Sequence, residues 1–337
     1  MAKPWILVLN AGSSSLKFAA FDLAFNRVSA GQADGHTPLD NVLEHLAMPD
    51  PPSVVGHRIV HGAALVAPQI LTPEIRRKIV QAAKLAPLHN PAALAVIDRV
   101  QSRYPDLPQV LCFDTAFHSD NPAEATMLAI PQHYRDLGLR RYGFHGLSYQ
   151  SVLRRFTAKT GKPLPRRVLA FHLGAGASLA AIVNGKGVAT TMGFSPMDGL
   201  VMATRAGGMD SGVLLYMARE LAMTPAQIDK VLNKESGLLA LAGSASMKQV
   251  LATDSDAARF AVRHYCYWVA RHAGSMIAAM QGVDGFVFTG GIGENAKPVR
   301  ENIMARLGWL GAATQNIWVI PADEETEIAR SAAQVLG

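Results

Sequence analysis

Apolar and polar positions along the chain fall into one pattern that is laid down twice. Residues 5–10 are an apolar run and residues 16–22 alternate, with Gly and Ser between them, which predicts two strands joined by a tight turn. Residues 54–60 form another apolar strand, interrupted by His57 and Arg58. Thr72-Pro73-Glu74 supplies an N-cap, a proline at the first helical position and an acid in the first turn, which predicts a helix to about residue 86. Asn90-Pro91 repeats that signal for a helix to about residue 104, ended by Pro105 and Pro108. Residues 109–113 then read as a buried strand that delivers Asp114 at its C-terminal end.

After Phe117 the pattern restarts. Residues 148–159 predict a helix, 167–173 a strand, 174–178 a Gly/Ala/Ser turn and 179–183 the partner strand. Helices are expected over 212–222, 225–232 and 256–281. A short strand, 285–288, runs into the strand-to-helix turn of residues 289–295. A last strand covers 317–320 and a closing helix 324–335. Strands alternating with helices imply α/β layers. Two halves that each open on a strand–turn–strand hairpin imply a duplicated α/β domain with an interdomain cleft. The expected division is 1–117 together with 322–337, and 118–321, the last helix folding back onto the first domain.

Composition narrows the class without naming it. The 337 residues are 49% hydrophobic and 17% charged, enough for two cored domains and unlike a disordered chain. No apolar stretch is long enough for a transmembrane helix, so no membrane partner is expected. The start resembles a signal peptide only superficially, because the run ends at Asn10-Ala11-Gly12-Ser13 and a second strand follows at once. Cys112 and Cys266 sit in apolar company, which suits a reduced, cytoplasmic protein. The net charge of +6 is scattered, with no basic stripe interleaved with aromatics, so nucleic acid is not an expected partner.

Local constellations carry the chemistry. In Asn10-Ala11-Gly12-Ser13-Ser14-Ser15-Leu16-Lys17, backbone N–H groups and hydroxyls of a small-residue turn can surround phosphate oxygens, and Lys17 adds charge. The same residues also suit a plain hairpin turn, and the Gly-Lys-Ser/Thr ending of a P-loop is missing. In Gly56-His57-Arg58-Ile59-Val60-His61-Gly62, alternation puts Arg58 on one face and His57 on the other, and a charge inside an apolar run needs a partner. Asp114 stands where α/β proteins place functional groups and suits magnesium, although an N-cap role competes. In Tyr142-Gly143-Phe144-His145-Gly146, the flanking glycines let the backbone bend and hold the imidazole outward. His172-Leu173-Gly174-Ala175-Gly176-Ala177-Ser178 repeats the phosphate logic of the first hairpin. Arg205 lies in a small-residue loop after Pro196, and Gly290-Gly291-Ile292-Gly293-Glu294-Asn295 lets a nucleoside approach the backbone.

Taken in order, and together with Leu85-Ala86-Pro87-Leu88-His89-Asn90-Pro91 and residues 191–205 and 319–325, these segments resemble the acetate kinase (acetokinase) family. That family belongs to the actin/Hsp70/sugar kinase superfamily, so the resemblance implies duplicated ribonuclease-H-like domains. It implies ATP-dependent, reversible phosphorylation of acetate, or of propionate, by direct in-line transfer with Mg2+ (or Mn2+), in a homodimer. By the same resemblance Arg58, Asp114, His145 and Arg205 are catalytic. Arg58, Val60, Leu88, His89, Phe144 and Pro196 bind the acid. Ser13, Ser15, Lys17, His172, Gly174, Gly176, Gly291, Ile292 and Asn295 bind ATP/ADP, and Asn10 and Glu324 attend the metal.

The chain departs from the family pattern on the nucleotide side. Ala175 and Ala177 replace polar residues of the second hairpin, and Ser246-Met247-Lys248 stands where the family has an Asp-aromatic/Met-Arg trio. Ala203 precedes Thr204-Arg205 where glycine is usual, and Tyr149 stands where the Gly-Phe-His motif often ends in histidine. The chain is also shortened between Asp22 and Val54 and between Asn302 and Ile317. Alternatives are a kinase with another phosphoryl donor and a degraded paralogue that binds nucleotide or acyl phosphate.

Overall fold

The computed structural model describes residues 4–12, 15–87 and 89–336, so the expected site residues Ser13 and Leu88 lie outside the described residues. The chain divides into two compact units, one of residues 1–119, 144–151 and 323–337, the other of residues 120–143 and 152–322.

The sheet of the first unit holds β1 (Trp5–Ala11), β2 (Ser15–Asp22), β3 (Arg27–Asp34), β4 (Val54–Ile59), β5 (Gln69–Ile70) and β6 (Gln109–Phe113). Their order is β3-β2-β1-β4-β6-β5. The first three are an antiparallel meander, while β1, β4 and β6 run parallel. Alternate side chains serve opposite faces. Leu7, Leu9, Val55, Ile59, Leu111 and Phe113 pack with α1 (Leu39–Leu46), α2 (Pro73–Ala82) and α3 (Asn90–Arg103). Ile6, Val8, Val54, Val110 and Cys112 pack with the last helix, α14 (Glu324–Leu336), through Ile328, Ala329 and Ala332. Cover on both faces explains why these strands read as continuous apolar runs.

Three elements here have no counterpart in the sequence pattern, the two-residue strand β5 among them. Strand β3 is exposed on alternate positions and carries little apolar signal; it forms because β2 offers it a partner edge. Helix α1 packs Leu39, Val42 and Leu46 beneath the same sheet. Asn90 is also not the N-cap that Asn90-Pro91 suggests. His89 holds that position, and the Asn90 side chain turns away to bond the backbone of His61.

The second unit repeats the plan with β7 (Arg167–Leu173), β8 (Ala177–Val183), β9 (Lys186–Thr190), β10 (Gly285–Thr289) and β11 (Ile317–Val319), in the order β11-β10-β7-β8-β9. An antiparallel meander again leads into parallel strands, the duplicated ribonuclease-H-like arrangement that the resemblance implies. The remaining helices are α4 (Ala123–Thr126), α5 (Gln132–Arg135), α6 (Gly146–Thr160), α7 (Ser211–Arg219), α8 (Pro225–Lys230), α9 (Gly237–Ala242), α10 (Met247–Ala252), α11 (Asp256–Met280), α12 (Gly290–Asn295) and α13 (Lys297–Arg306). Residues 290–295 are therefore helix from Gly290 onward, not a turn leading to one. Gly290 has a φ of +78°, and a Cβ there would stand 2.7 Å from the carbonyl oxygen of Leu173.

Candidate active site

Because β1, β4 and β6 are parallel neighbours, their C-terminal ends bring Asn10, Arg58 and Asp114 side by side. Arg58 Nε donates to both carboxylate oxygens of Asp114 at 3.2 and 3.1 Å, and its Nη2 donates to Oδ2 at 2.6 Å. Its Nη1 donates to Asn10 Oδ1 at 3.2 Å and lies 3.8 Å from Glu324 Oε2. The first turn of α14 completes the cluster. Asn10 Nδ2 donates to Glu324 at 3.2 Å and to Glu325 at 2.9 Å, which fixes the direction of its amide. Asp114 is therefore Arg58's partner and not a helix cap. Glu325 was not singled out from the sequence, although the Glu324-Glu325 doublet at a helix start was its signal.

Burial sets the electrostatics. Asp114 is 1% exposed, and its carboxyl is pushed up to about 6 by desolvation, which outweighs the pull of Arg58, with Glu324 adding to the rise. Desolvation works against the Arg58 charge, but Asp114, Glu324 and Glu325 outweigh it and raise the guanidinium above its ordinary value. His57 faces the other side of the sheet, as alternation predicts, with Nε2 2.8 Å from Gln109 Oε1; burial lowers its pKa to about 4. It is a neutral core histidine.

The segment carrying His145 docks on the Asp114 turn. Gly146 N–H donates to Asp114 O at 2.9 Å, and a Cβ on that glycine would stand 2.2 Å from the same oxygen. His145 itself takes a left-handed φ of +59°, uncommon for a side-chain-bearing residue. Beside it, Phe144 meets the His61 ring edge-on at 5.5 Å and accepts from the buried His118 ring at 2.9 Å through its carbonyl. Val60 and Phe144 are almost wholly buried, so they offer an acyl chain little free surface. Asn90 clasps His61 through both backbone groups, and Thr115 Oγ1 accepts from Gly62 N–H at 3.1 Å. His89 sits half-buried at the start of α3. Ser15 opens β2, and Lys17, exposed, pairs in register with Asn10.

A divalent cation fits this donor set. Three carboxylates face one guanidinium, a surplus of negative charge that a hard cation relieves. Among the described residues no three His, Cys, Asp or Glu side chains are grouped to hold a metal alone, so such a cation would keep water ligands. Asn10, also expected beside the metal, turns its carbonyl oxygen to Arg58 and its nitrogen to the glutamates, and so positions those groups.

In the second unit, Thr289 pairs in register with His172, bringing the 174–176 turn against α12. A Cβ on Gly174 would lie 3.7 Å from Gly291 N and 3.8 Å from His172 Nε2. Gly174, Ala175, Ala245, Ser246, Met247, Lys248, Gly291, Ile292 and Asn295 line a cavity of about 820 Å3. The expected nucleotide residues Gly174, Gly291, Ile292 and Asn295 are thus gathered at one place, and the two departures Ala175 and Lys248 face the same space. Gly176 closes the turn, its oxygen accepting from Gly174 N–H at 3.0 Å. Lys248 is the cavity's charged side chain. Ser246 Oγ caps α10, 3.5 Å from Gln249 N. Arg205 lies in a loop of the same unit, where its Nη1 donates to Pro196 O at 2.6 Å.

Two units of one sheet plan, one ending in a buried arginine–carboxylate cluster and the other in a glycine-lined cavity, place the chain among kinases of the ribonuclease-H-like fold. A glucokinase of the ROK family from Streptomyces griseus, 15% identical with a TM-score of 0.50, shares that fold. The chain belongs to the acetokinase family, whose description matches residues 39–335. It is 38% identical over 384 positions to an acetate kinase of Rhodopseudomonas palustris, covering 96% of each chain. It is 36% identical to an acetate kinase of Dichelobacter nodosus, covering 99% of each. Those 384 positions exceed the 337 residues here, so that relative carries segments this chain lacks. Among solved structures, a propionate kinase from Francisella tularensis matches with a TM-score of 0.90 at 32% identity, covering 98% of this chain and 100% of that one. The acetate kinase of Porphyromonas gingivalis matches with a TM-score of 0.88 at 30%, covering 99% and 100%.

Proposed function

We propose that the chain transfers a phosphoryl group reversibly between ATP and the carboxylate of acetate or propionate. The observation that carries the reading is the Arg58 guanidinium, held by Asp114, Asn10 and Glu324 at the C-terminal strand ends. Phosphoryl transfer spreads negative charge over equatorial oxygens, so catalysis needs cations and hydrogen-bond donors. Arg58, Arg205 and His145 are the groups assigned that charge. The acid is already ionised at neutral pH, so direct attack needs no general base. Asp114 and Glu324 would hold a magnesium ion, which when bound would neutralise phosphate charge. Asn10 and Glu325 orient that set. The cavity of the second unit takes the adenosine, with His172, Gly174, Gly176, Gly291, Ile292 and Asn295 at or beside it.

Acyl phosphate trapped as hydroxamate, from ATP, magnesium and acetate, propionate or butyrate, tests the reading. Product with acetate or propionate, abolished by Arg205→Ala, is the expected result; no product with any acid refutes it. A donor other than ATP is a second reading, favoured by Ala175 and Lys248 in the cavity, and pyrophosphate and other nucleoside triphosphates run in the same assay decide it.

The reading includes a homodimer in the cytoplasm. Val213, Leu215 and Tyr216 stand exposed on α7, a helix without a buried residue, and a second copy would cover them. Among the described residues no helix is long and apolar enough to cross a membrane, and Cys112 and Cys266 are buried free thiols. Sedimentation of the purified chain reads the oligomeric state.

A further inference from the structure

We propose that Arg141 and Asp198 are positioning residues that hold the loop carrying Pro196 and Arg205; the inference rests on the reading of Arg205 given above. All of these residues belong to the second unit. Arg141 Nη1 reaches Asp198 Oδ2 at 2.7 Å. The pair lies across Gly193, where a Cβ would stand 2.4 Å from that oxygen and 3.1 Å from that nitrogen. The backbone after Arg141 ties the start of the same loop, since the N–H groups of Tyr142 and Gly143 lie 2.9 and 3.3 Å from Gly193 O.

The second oxygen of Asp198 ties the loop's far side. Oδ1 accepts from Gly199 N–H at 2.8 Å and would be 3.0 Å from a Cβ on Gly208. Gly208 N–H in turn donates to Gly199 O at 2.9 Å, which closes the loop on itself. Inside that closure Arg205 spends one nitrogen on Pro196 O at 2.6 Å, and its own carbonyl accepts from Met202 N–H at 3.1 Å. The Arg205 guanidinium is thus tied to residue 196, which lies on the stretch between Gly193 and Asp198, the two points where the pair meets the loop.

Arg141 and Asp198 are themselves 41% and 38% exposed at the side chain. An ion pair that open to solvent adds little to stability. Its placement across a glycine, on a loop bearing a charged group, gives it a geometric role instead. The two effects separate in an experiment.

Acyl-phosphate formation and thermal unfolding are measured on the full-length chain for Arg141→Ala, Asp198→Asn, the double variant, Arg141→Lys and the control Arg167→Ala. The control breaks an ion pair of similar exposure, to Asp284 at 2.6 Å, at the opposite end of β7. Expected for Arg141→Ala and Asp198→Asn is a fall in kcat of about ten- to a hundredfold with the KM for ATP unchanged. The midpoint of unfolding moves by no more than about 2 °C. The double variant is no worse than the worse single one, and Arg141→Lys, which keeps one donor for Asp198, recovers most of the rate. Wild-type kcat in both single variants, additive losses, or an equal loss in Arg167→Ala overturns the proposal. Absence of acyl phosphate from the wild-type chain instead refutes the catalytic reading, and the proposal with it.

Discussion

Gly146 leaves no room for a side chain against Asp114: its nitrogen lies 2.9 Å from the Asp114 carbonyl oxygen, and a Cβ would stand 2.2 Å away. The histidine motif and the carboxylate that holds Arg58 are therefore fitted to each other through backbone. Gly146→Ala must displace one of them. The expected outcome is a loss of about 2 kcal/mol in stability from overpacking and a fall in kcat of about a hundredfold. Urea unfolding and the hydroxamate assay measure both; a fully active Gly146→Ala would show that His145 can shift without consequence.

Asp114→Asn keeps the shape of the side chain and removes the charge that Arg58 is built to meet. Breaking a buried pair leaves an uncompensated charge, so stability should fall by about 3 kcal/mol. The rate should fall by about a hundredfold or more as Arg58 loses its direction. The KM for magnesium should rise with it, and an unchanged magnesium dependence would remove Asp114 from the metal's attendants.

On the nucleotide side, Ala175 is exposed at the mouth of the cavity that Lys248 also lines. A hydrogen-bond donor restored at this position gains a bond to a charged phosphate. Ala175→Asn should then lower the KM for ATP by about tenfold with kcat little changed. An unchanged KM would show that the turn binds phosphate through its backbone alone.

Buried histidines give the stability its pH dependence. Burial holds both His57 and His118 at about 4, below the unfolded value of 6.5. Below pH 6.5 the unfolded chain takes up protons that the folded chain refuses. Each histidine therefore leaves stability intact above pH 6.5 and erodes it as pH falls toward 4. From pH 7 to 5 the loss is about 2 kcal/mol per histidine. Urea midpoints at the two pH values check the slope, and His57→Gln should flatten it; an equal slope in that variant would point to other groups.

The sequence by itself settles what depends on neighbours along the chain. The hairpin of β1 and β2, the helix cap at Thr72, strand β6 and the long helix α11 are all legible because alternation, capping and period are local signals. The motifs around Arg58, Asp114, His145 and Gly291 are legible too, since unusual residues interrupt apolar runs there or glycines crowd together. Strand β3 was not legible, because an edge strand with one open face needs only a partner and little apolar pattern of its own.

Tertiary structure alone decides the pairings. That Asn10 turns its nitrogen to Glu324 and Glu325, more than three hundred residues away, follows from α14 packing back over β1, β4 and β6. The use of Asn90 to clasp His61 rather than to cap α3 has the same origin, a contact across 29 positions that outcompetes a local bond. So does the Arg141–Asp198 pair, separated by 57 positions and absent from any motif read along the chain. Local sequence fixes which groups are present and on which face each strand presents them. Their directions are fixed by partners brought close only when both faces of each sheet are buried.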